Sequence, residues 1–455
     1  MKSKRICALI SALALVTGVF TGCSGSTSSS GAASAANGPK QVTLTVAYQV
    51  SGTTDPIGDW LKELIKDYKT ANPNVTINPA PITADENTYY TKLDLMMKSG
   101  TSSPDIVNED TFLISSDAAA GYLEPITDAM NSWDEWSQVT ANVKKGVTID
   151  GKVYGIPSST DSRGIWYNKE LFKKAGLPAE WTPKTWDDIL SASKTIKEKL
   201  DGVTPFVMYN GKAIGEGTSM QCYEMLLYGT GETLLDNSGK WIVGSPNILS
   251  TLKFIDTMNR SGYGAGTAMV TNGQEGSIVA NQLIPQGKVA MLLDGYWASG
   301  AWKTAMKDYQ DTMGFVPMPT QKGQEPGSIT MSGGWAWSLT KNSANKDAAT
   351  AFMKYMSNKE NLEKLVLAQG NLSPRSDIAS DSKYIDSNPF NKVATEFLKN
   401  AQFRPTDPNY SSVSTAIQTM IEAVATGSAT PEAAMESYAN DVKRIVGADK
   451  TTTIQ

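Results

Sequence analysis

The run GKVAMLLDGYWASGAW, Gly287 to Trp302, reads as a buried strand that stops abruptly. Val289 to Leu293 is apolar over a strand's length, and Asp294-Gly295 breaks it. Tyr296, Trp297 and Trp302 follow at once. A strand that ends at glycine and then presents aromatic rings has the geometry of a sheet edge opening onto a cleft. The alternative is that Trp297 and Trp302 belong to the core of the next helix, where large aromatics usually lie. A second cluster downstream, Met331-Ser332-Gly333-Gly334-Trp335-Ala336-Trp337, again joins tight backbone to tryptophan. Two such clusters indicate an aromatic-lined cleft. Flat rings beside carboxylates and amides suit a sugar.

Composition narrows the function. A chain of 455 residues with 40% hydrophobic and 19% charged residues accommodates two to three domains or one two-lobed body. The formal charge of −5 disfavours nucleic acid and anionic membrane surfaces as partners. There is no histidine. That removes the commonest general base and metal ligand, and every Ser-His or Cys-His arrangement. No Cys/His cluster exists for a transition metal and no cofactor is expected, which favours a binding protein over an enzyme.

The amino terminus carries its own signal. Lys2, Lys4 and Arg5 precede an apolar run from Ile6 to Phe20, the pattern of a signal peptide and short for a membrane span. Phe20-Thr21-Gly22-Cys23 resembles the lipobox of bacterial lipoproteins, which implies a signal over 1–22, a lipidated Cys23 and membrane contact through the lipid anchor. The following Ser/Gly/Ala/Thr segment reads as a flexible tether over 23–40. Cys222 then stands alone, and no disulfide is expected in the mature chain.

Along the chain, VTLTVAY (42–48) alternates like a strand, and Ile57, Trp60, Leu61, Leu64, Ile65 and Tyr68 follow at helical spacing. Val75-Thr76-Ile77, a helix through Tyr90, Leu93 and Met97, and the strand Pro104–Val107 complete a parallel α/β pattern. In such a pattern ligands sit beyond the carboxyl ends of strands. Ser51–Asp55 and Glu109-Asp110 fall at such ends. Asp150-Gly151 signals a hairpin turn, Asn168 a helix N-cap, Gly176 a helix end, and Thr185 with Asp188 a capping box.

WYNKELFKKAGL (166–177), TWDDILSASKTI (185–196), GKVAMLLDGYW (287–297) and the long run from SGGWAWSLTKNSANKDAATAF at 332 to LSPRSD ending at 377 resemble, in order, landmarks of the family 1 extracellular solute-binding proteins. These are sugar-capturing subunits of ABC importers. The resemblance implies a two-lobed, periplasmic-binding-protein-like fold of type II, with a multi-crossing hinge and ligand held between the lobes. By position, lobe 1 is expected over 41–160 plus 319–372 and lobe 2 over 161–318 plus 373–455. Crossings would fall near Pro157–Asp161, Pro317–Pro319 and Gly370–Pro374.

By the same resemblance Trp297 matches the cleft tryptophan, Trp335 a position close to ligand, Asp161 the acidic residue ahead of the YNK motif, and Asp110 the one after the PDI strand. A carboxylate can accept two sugar hydroxyls at once, and such charge-assisted bonds are the stronger ones. Tyr296, Gly334, Arg163 and Arg375 join them as candidate ligand-binding residues. Asp294 reads either as a cleft residue or as a cap, and Trp302, Trp337 and Arg404 are left open between cleft and core. The implied protein is a monomeric, lipid-anchored receptor on the outer face of the cytoplasmic membrane, delivering a carbohydrate to ABC permease subunits. Two other readings compete: a secreted carbohydrate-active enzyme using a carboxylate pair, and a receptor of the same fold for a non-sugar solute.

Overall fold

The structure, a computed structural model, describes residues 40–51 and 54–455. The expected signal peptide, the tether up to residue 39, the lipidation at Cys23, and Gly52-Thr53 of the first strand-end loop lie outside the described residues. Cys222 is a free, buried thiol. No described helix is long and apolar enough to cross a membrane.

Two sheets organise the chain. The first runs, in spatial order, Val75–Thr83, Val42–Val50, Ile106–Asp110, Trp335–Leu339 and Gly155–Pro157. Its first three strands are parallel, as the strand–helix alternation predicts, whereas Trp335–Leu339 returns antiparallel from far along the chain. The second sheet orders Met313–Val316, Arg163–Asn168, Val289–Gly295 and Thr204–Val207. Val289–Gly295 is buried at every residue, and it pairs antiparallel with Arg163–Asn168 and parallel with Thr204–Val207. Burying each of its large aliphatic side chains contributes about 1.5–3 kcal/mol.

Local chemistry explains the helices that carry these sheets. Pro56–Ala71 starts where the Asp55 carboxylate accepts the Gly58 N–H (2.7 Å) and the Tyr48 hydroxyl (3.0 Å), and Pro56 needs no partner at the first turn. It buries Ile57, Trp60, Leu61, Leu64 and Tyr68 at the predicted spacing. Asn168 caps Lys169–Ala175 and Gly176 closes it. Thr185 and Asp188 form the reciprocal capping box, and Asp150-Gly151 turns the short hairpin between Thr148-Ile149 and Lys152-Val153.

The lobe cores show where the chain crosses. One core surrounds the first sheet, and the second sheet is flanked by two more. The chain passes from Gly155–Pro157 of the first sheet to Arg163–Asn168 of the second between Pro157 and Arg163. Met318 packs in a core of the second sheet. Ser328–Met331 pairs with Met318-Pro319 and Ala401-Gln402, and Ile329 and Met331 are buried with the second sheet. The chain therefore returns to the first sheet only after Met331. Likewise Ile378 and Tyr384 pack in the first core and Phe390 in a core beside the second sheet, so the segment after 373 touches both.

Glu109, Asp117, Glu224 and Glu275 are buried. Glu275 has no partner for either oxygen, Glu224 leaves one oxygen unpaired, and Glu109 lies beside Asp117, whose charge adds to the cost of its burial. Burial, reinforced by Asp94, pushes Asp117 up to about 7. Burial pushes Glu275 to about 8, and burial with Glu216 does the same to Glu224. Because each folded pKa exceeds the unfolded value near 4, the unfolded chain holds fewer protons between pH 4 and 8. The contribution of these groups is full below that window and is lost as pH rises through it. With no histidine in the chain, no imidazole titration masks the slope. The melting temperature should be several degrees lower at pH 8.5 than at pH 5, and Glu275→Gln should flatten the difference. Equal melting at both pH values would contradict this assignment.

Candidate functional site

A cavity of about 460 Å³ lies where strand ends of the two sheets meet, within the range of small-ligand sites. Asp110 and Trp335 come from the first sheet, where they are directly paired across antiparallel strands. Asp161 and Arg163 come from the crossing and the second sheet, and Asp294 and Trp297 from the end of strand Val289–Gly295. Register explains their neighbourhood, because Gly295 pairs with Arg163. The Arg163 guanidinium accordingly lies over the Trp297 ring at 4.8 Å, a cation–π contact.

Trp297 is 38% exposed, unusual for so large an apolar side chain. Gly295 makes room for it: a Cβ there would lie 2.1 Å from the indole. Trp335 lines the same cavity, its ring tilted against Tyr89 and Tyr90 at 5.9 and 6.2 Å. Its backbone N–H donates to Ser159 Oγ at 3.2 Å. Gly334, ahead of it, adopts φ +127°, and a Cβ there would meet the Ser159 carbonyl at 2.3 Å. Gly334 is thus the backbone device that seats Trp335, and is itself outside the lining.

The cavity's charges are held in a network. Asp161 pairs with Arg163 and accepts the Gly333 N–H at 2.8 Å. Arg163 also donates to the Met331 carbonyl and to Gln221. Arg404 donates to Asp110 at 2.7 Å and to Glu216 at 3.0 Å, and lies over the Phe112 ring at 4.5 Å. Burial works against the charge of Arg404, but Asp110 and Glu216 outweigh it and hold it protonated. Asp110 itself is raised by burial, with Arg404 pulling the other way. Asp294 accepts from Gln221 (2.8 Å), Tyr209 (2.8 Å) and the Gly295 N–H (2.6 Å). Burial raises its pKa, and those donors moderate the rise. Glu86 stands exposed at the cavity mouth.

A second chamber of about 210 Å³ shares Glu86, Trp335 and Asn371 with the first. Ser51, Thr54 and Asp55 line it, so the first strand-end loop reaches the cleft as its position predicts.

Several candidates lie elsewhere. Tyr296 is buried and hydrogen-bonded to Asn391, because its ring points into a core behind the cleft wall. Arg375 is 1% exposed and is spent on Asp377, Glu135 and the Ser357 carbonyl. It is a structural ion pair, and the same guanidinium holds Asp377 below the usual carboxylate range against its burial. Of the residues left open, Trp302 packs edge-on to Trp166 and Trp337 stacks on Trp60, both in cores. Arg404 lines the cleft.

Sequence reasoning missed Glu86, Tyr209, Glu216 and Gln221. Glu86 follows the carboxyl end of strand Val75–Thr83, so its position was a readable signal. Gln221 sits in a π-helical turn, Ser219–Glu224, and Asn281 in another, Val279–Leu283. Such turns are frequent at functional sites but have no residue signature. Replacing Arg404 by Ala would strand two carboxylates in the cleft wall. Its unfolding free energy should fall by about 3 kcal/mol in urea titration, and an unchanged value would mark the pair as energetically idle.

Residues 51–363 match the family described as bacterial extracellular solute-binding protein. A putative binding protein of Brucella abortus (strain 2308) is 25% identical over 399 residues, covering 88% of this chain and 92% of its own. The arabinooligosaccharide-binding protein of Bacillus subtilis (strain 168) is 22% identical over 408 residues, covering 88% and 86%. Among solved structures, an ABC transporter solute-binding protein of Thermotoga lettingae bound to α-D-tagatose has a TM-score of 0.76 at 27% identity, covering 90% of this chain and all of its own. The two-sheet architecture with a cleft between its lobes agrees with that likeness. The chain belongs to the bacterial extracellular solute-binding protein family.

Proposed function

We propose that this receptor captures a carbohydrate, of more than one sugar unit, and delivers it to the permease of an ABC importer without altering it chemically. The observation that carries the reading is the pair of indoles, Trp297 and Trp335, which come from different sheets and line one cavity beside Asp110, Asp161 and Asp294. An indole offers a broad apolar face to sugar C–H groups, and carboxylates accept hydroxyls in charge-assisted bonds. The adjoining chamber beyond Trp335 favours an oligosaccharide over a single unit. The ligands of two relatives, an arabinooligosaccharide and tagatose, support the class without naming the member. The sequence pattern at Cys23 supports anchoring of a monomer at the outer face of the cytoplasmic membrane, through lipid rather than a span.

A panel of mono- and oligosaccharides titrated against tryptophan fluorescence tests the reading, with product analysis of the bound sugar. Recovery of unchanged sugar is expected; cleavage would favour the enzyme reading, and silence across the panel the non-sugar one. Trp297→Ala should weaken binding by about one to two decades, at roughly 1.4 kcal/mol per decade. The ligand-free melting temperature should change little, since the ring is part-exposed. A core tryptophan would instead lose about 3–5 kcal/mol of stability. Cys23→Ala should leave the protein unprocessed or shed from the membrane fraction, and wild-type fractionation would overturn the anchor.

A further inference from the structure

The cleft wall carries five carboxyl groups, on Glu86, Asp110, Asp161, Glu216 and Asp294, against two guanidiniums and no lysine. The imbalance matters because of how the guanidiniums are used. Arg163 is committed to Asp161, Gln221 and the Met331 carbonyl, and Arg404 to Asp110 and Glu216. Arg404 spends both of its Nη atoms on separate carboxylates, and Arg163 spends Nε and Nη1 within the wall, so neither keeps a complete Nη1/Nη2 fork for an incoming anion. Glu86 makes no ion pair among the described residues and stands exposed where the two chambers join.

Resting on the carbohydrate reading above, we infer that the cleft is a charge filter: it accepts neutral or amine-bearing saccharides and rejects those carrying carboxylate, sulfate or phosphate, with Glu86 as the residue that sets the discrimination. A hydroxyl or ammonium donates to these carboxylates, whereas an anionic substituent can only accept and meets like charge at short range. Two like charges about 6 Å apart in partly screened surroundings are worth about a tenfold change in affinity.

The test screens the full mature chain against arrayed neutral, amine-bearing and uronate- or sulfate-bearing oligosaccharides. Kd values are then measured for the strongest neutral binder and for its uronate counterpart. The uronate should bind about tenfold or more weakly at low salt, and the ratio should shrink in high salt as screening grows. Glu86→Gln should narrow the ratio severalfold while leaving the melting temperature near wild type, since the side chain is exposed. Tight binding of acidic glycans, or a ratio unmoved by both salt and Glu86→Gln, overturns the filter while leaving carbohydrate binding intact. Failure of every glycan, whatever its charge, overturns the carbohydrate reading and the filter with it.

Discussion

Arg404 draws together two walls that the chain builds far apart. Asp110 ends a strand of the first sheet, Glu216 opens a short helix beside the second, and the one guanidinium bonds both. Desolvating three charges is costly, and the network is favourable only because the geometry is close and further partners fill the remaining sites. Tyr90 donates to Asp110, while Tyr410, Ser414 and Ser219 donate to Glu216. The cleft therefore has a polar wall in which every charge except that of Glu86 is anchored before a ligand arrives. Preorganisation of this kind lowers the cost of binding, because few side chains remain to be ordered.

The apolar side of the site is built by omission. Gly295 and Gly334 each stand one or two residues before a cleft tryptophan, and at each an added Cβ would strike the structure, at the indole itself or at the Ser159 carbonyl. The Trp297 indole thereby lies against the Gly295 backbone, and Trp335 is seated at the cleft while packing partly against the first core. Neighbouring tryptophans have the opposite fate. Trp337, two residues beyond Trp335 on the same strand, lies buried on Trp60, and Trp302 is buried against Trp166. Trp335 begins its strand at the cleft, whereas Trp337 is already flanked by Asn108 and Ile156 on either side.

The buried acids form a separate theme. Glu109, Asp117, Glu224 and Glu275 lie within or beside the lobe cores, and desolvation drives all of them toward the neutral form. Glu109 precedes Asp110 on the same strand, so its side chain takes the opposite face of the sheet. Adjacent acidic residues thus have opposite roles, one in the cleft network and one in the interior. The sequence pair Glu109-Asp110 carries no hint of which is which.

What the sequence by itself determined was local. Apolar period and caps specified the helix Pro56–Ala71, the capping box at Thr185, the hairpin at Asp150-Gly151 and the buried strand ending at Gly295, since each depends on residues within a turn or two. The order of motifs also carried the two-lobed class, and the resemblance they carry named Trp297, Trp335, Asp161, Arg163 and Asp110, which line one cavity in the structure. Tertiary structure alone decided the rest. Tyr296 and Arg375 left the candidate site because their neighbours Asn391, Asp377 and Glu135 are brought by other segments. Glu216, Gln221 and Arg404 entered it through π-helical turns and long-range ion pairs. The return to the first sheet only after Met331 followed from strand pairing across long sequence separations. Side-chain direction on a strand alternates with every residue, and ion pairs form between whichever charges the packed lobes bring within a few ångströms. Neither is encoded by spacing along the chain, so both become visible only once the lobes are assembled.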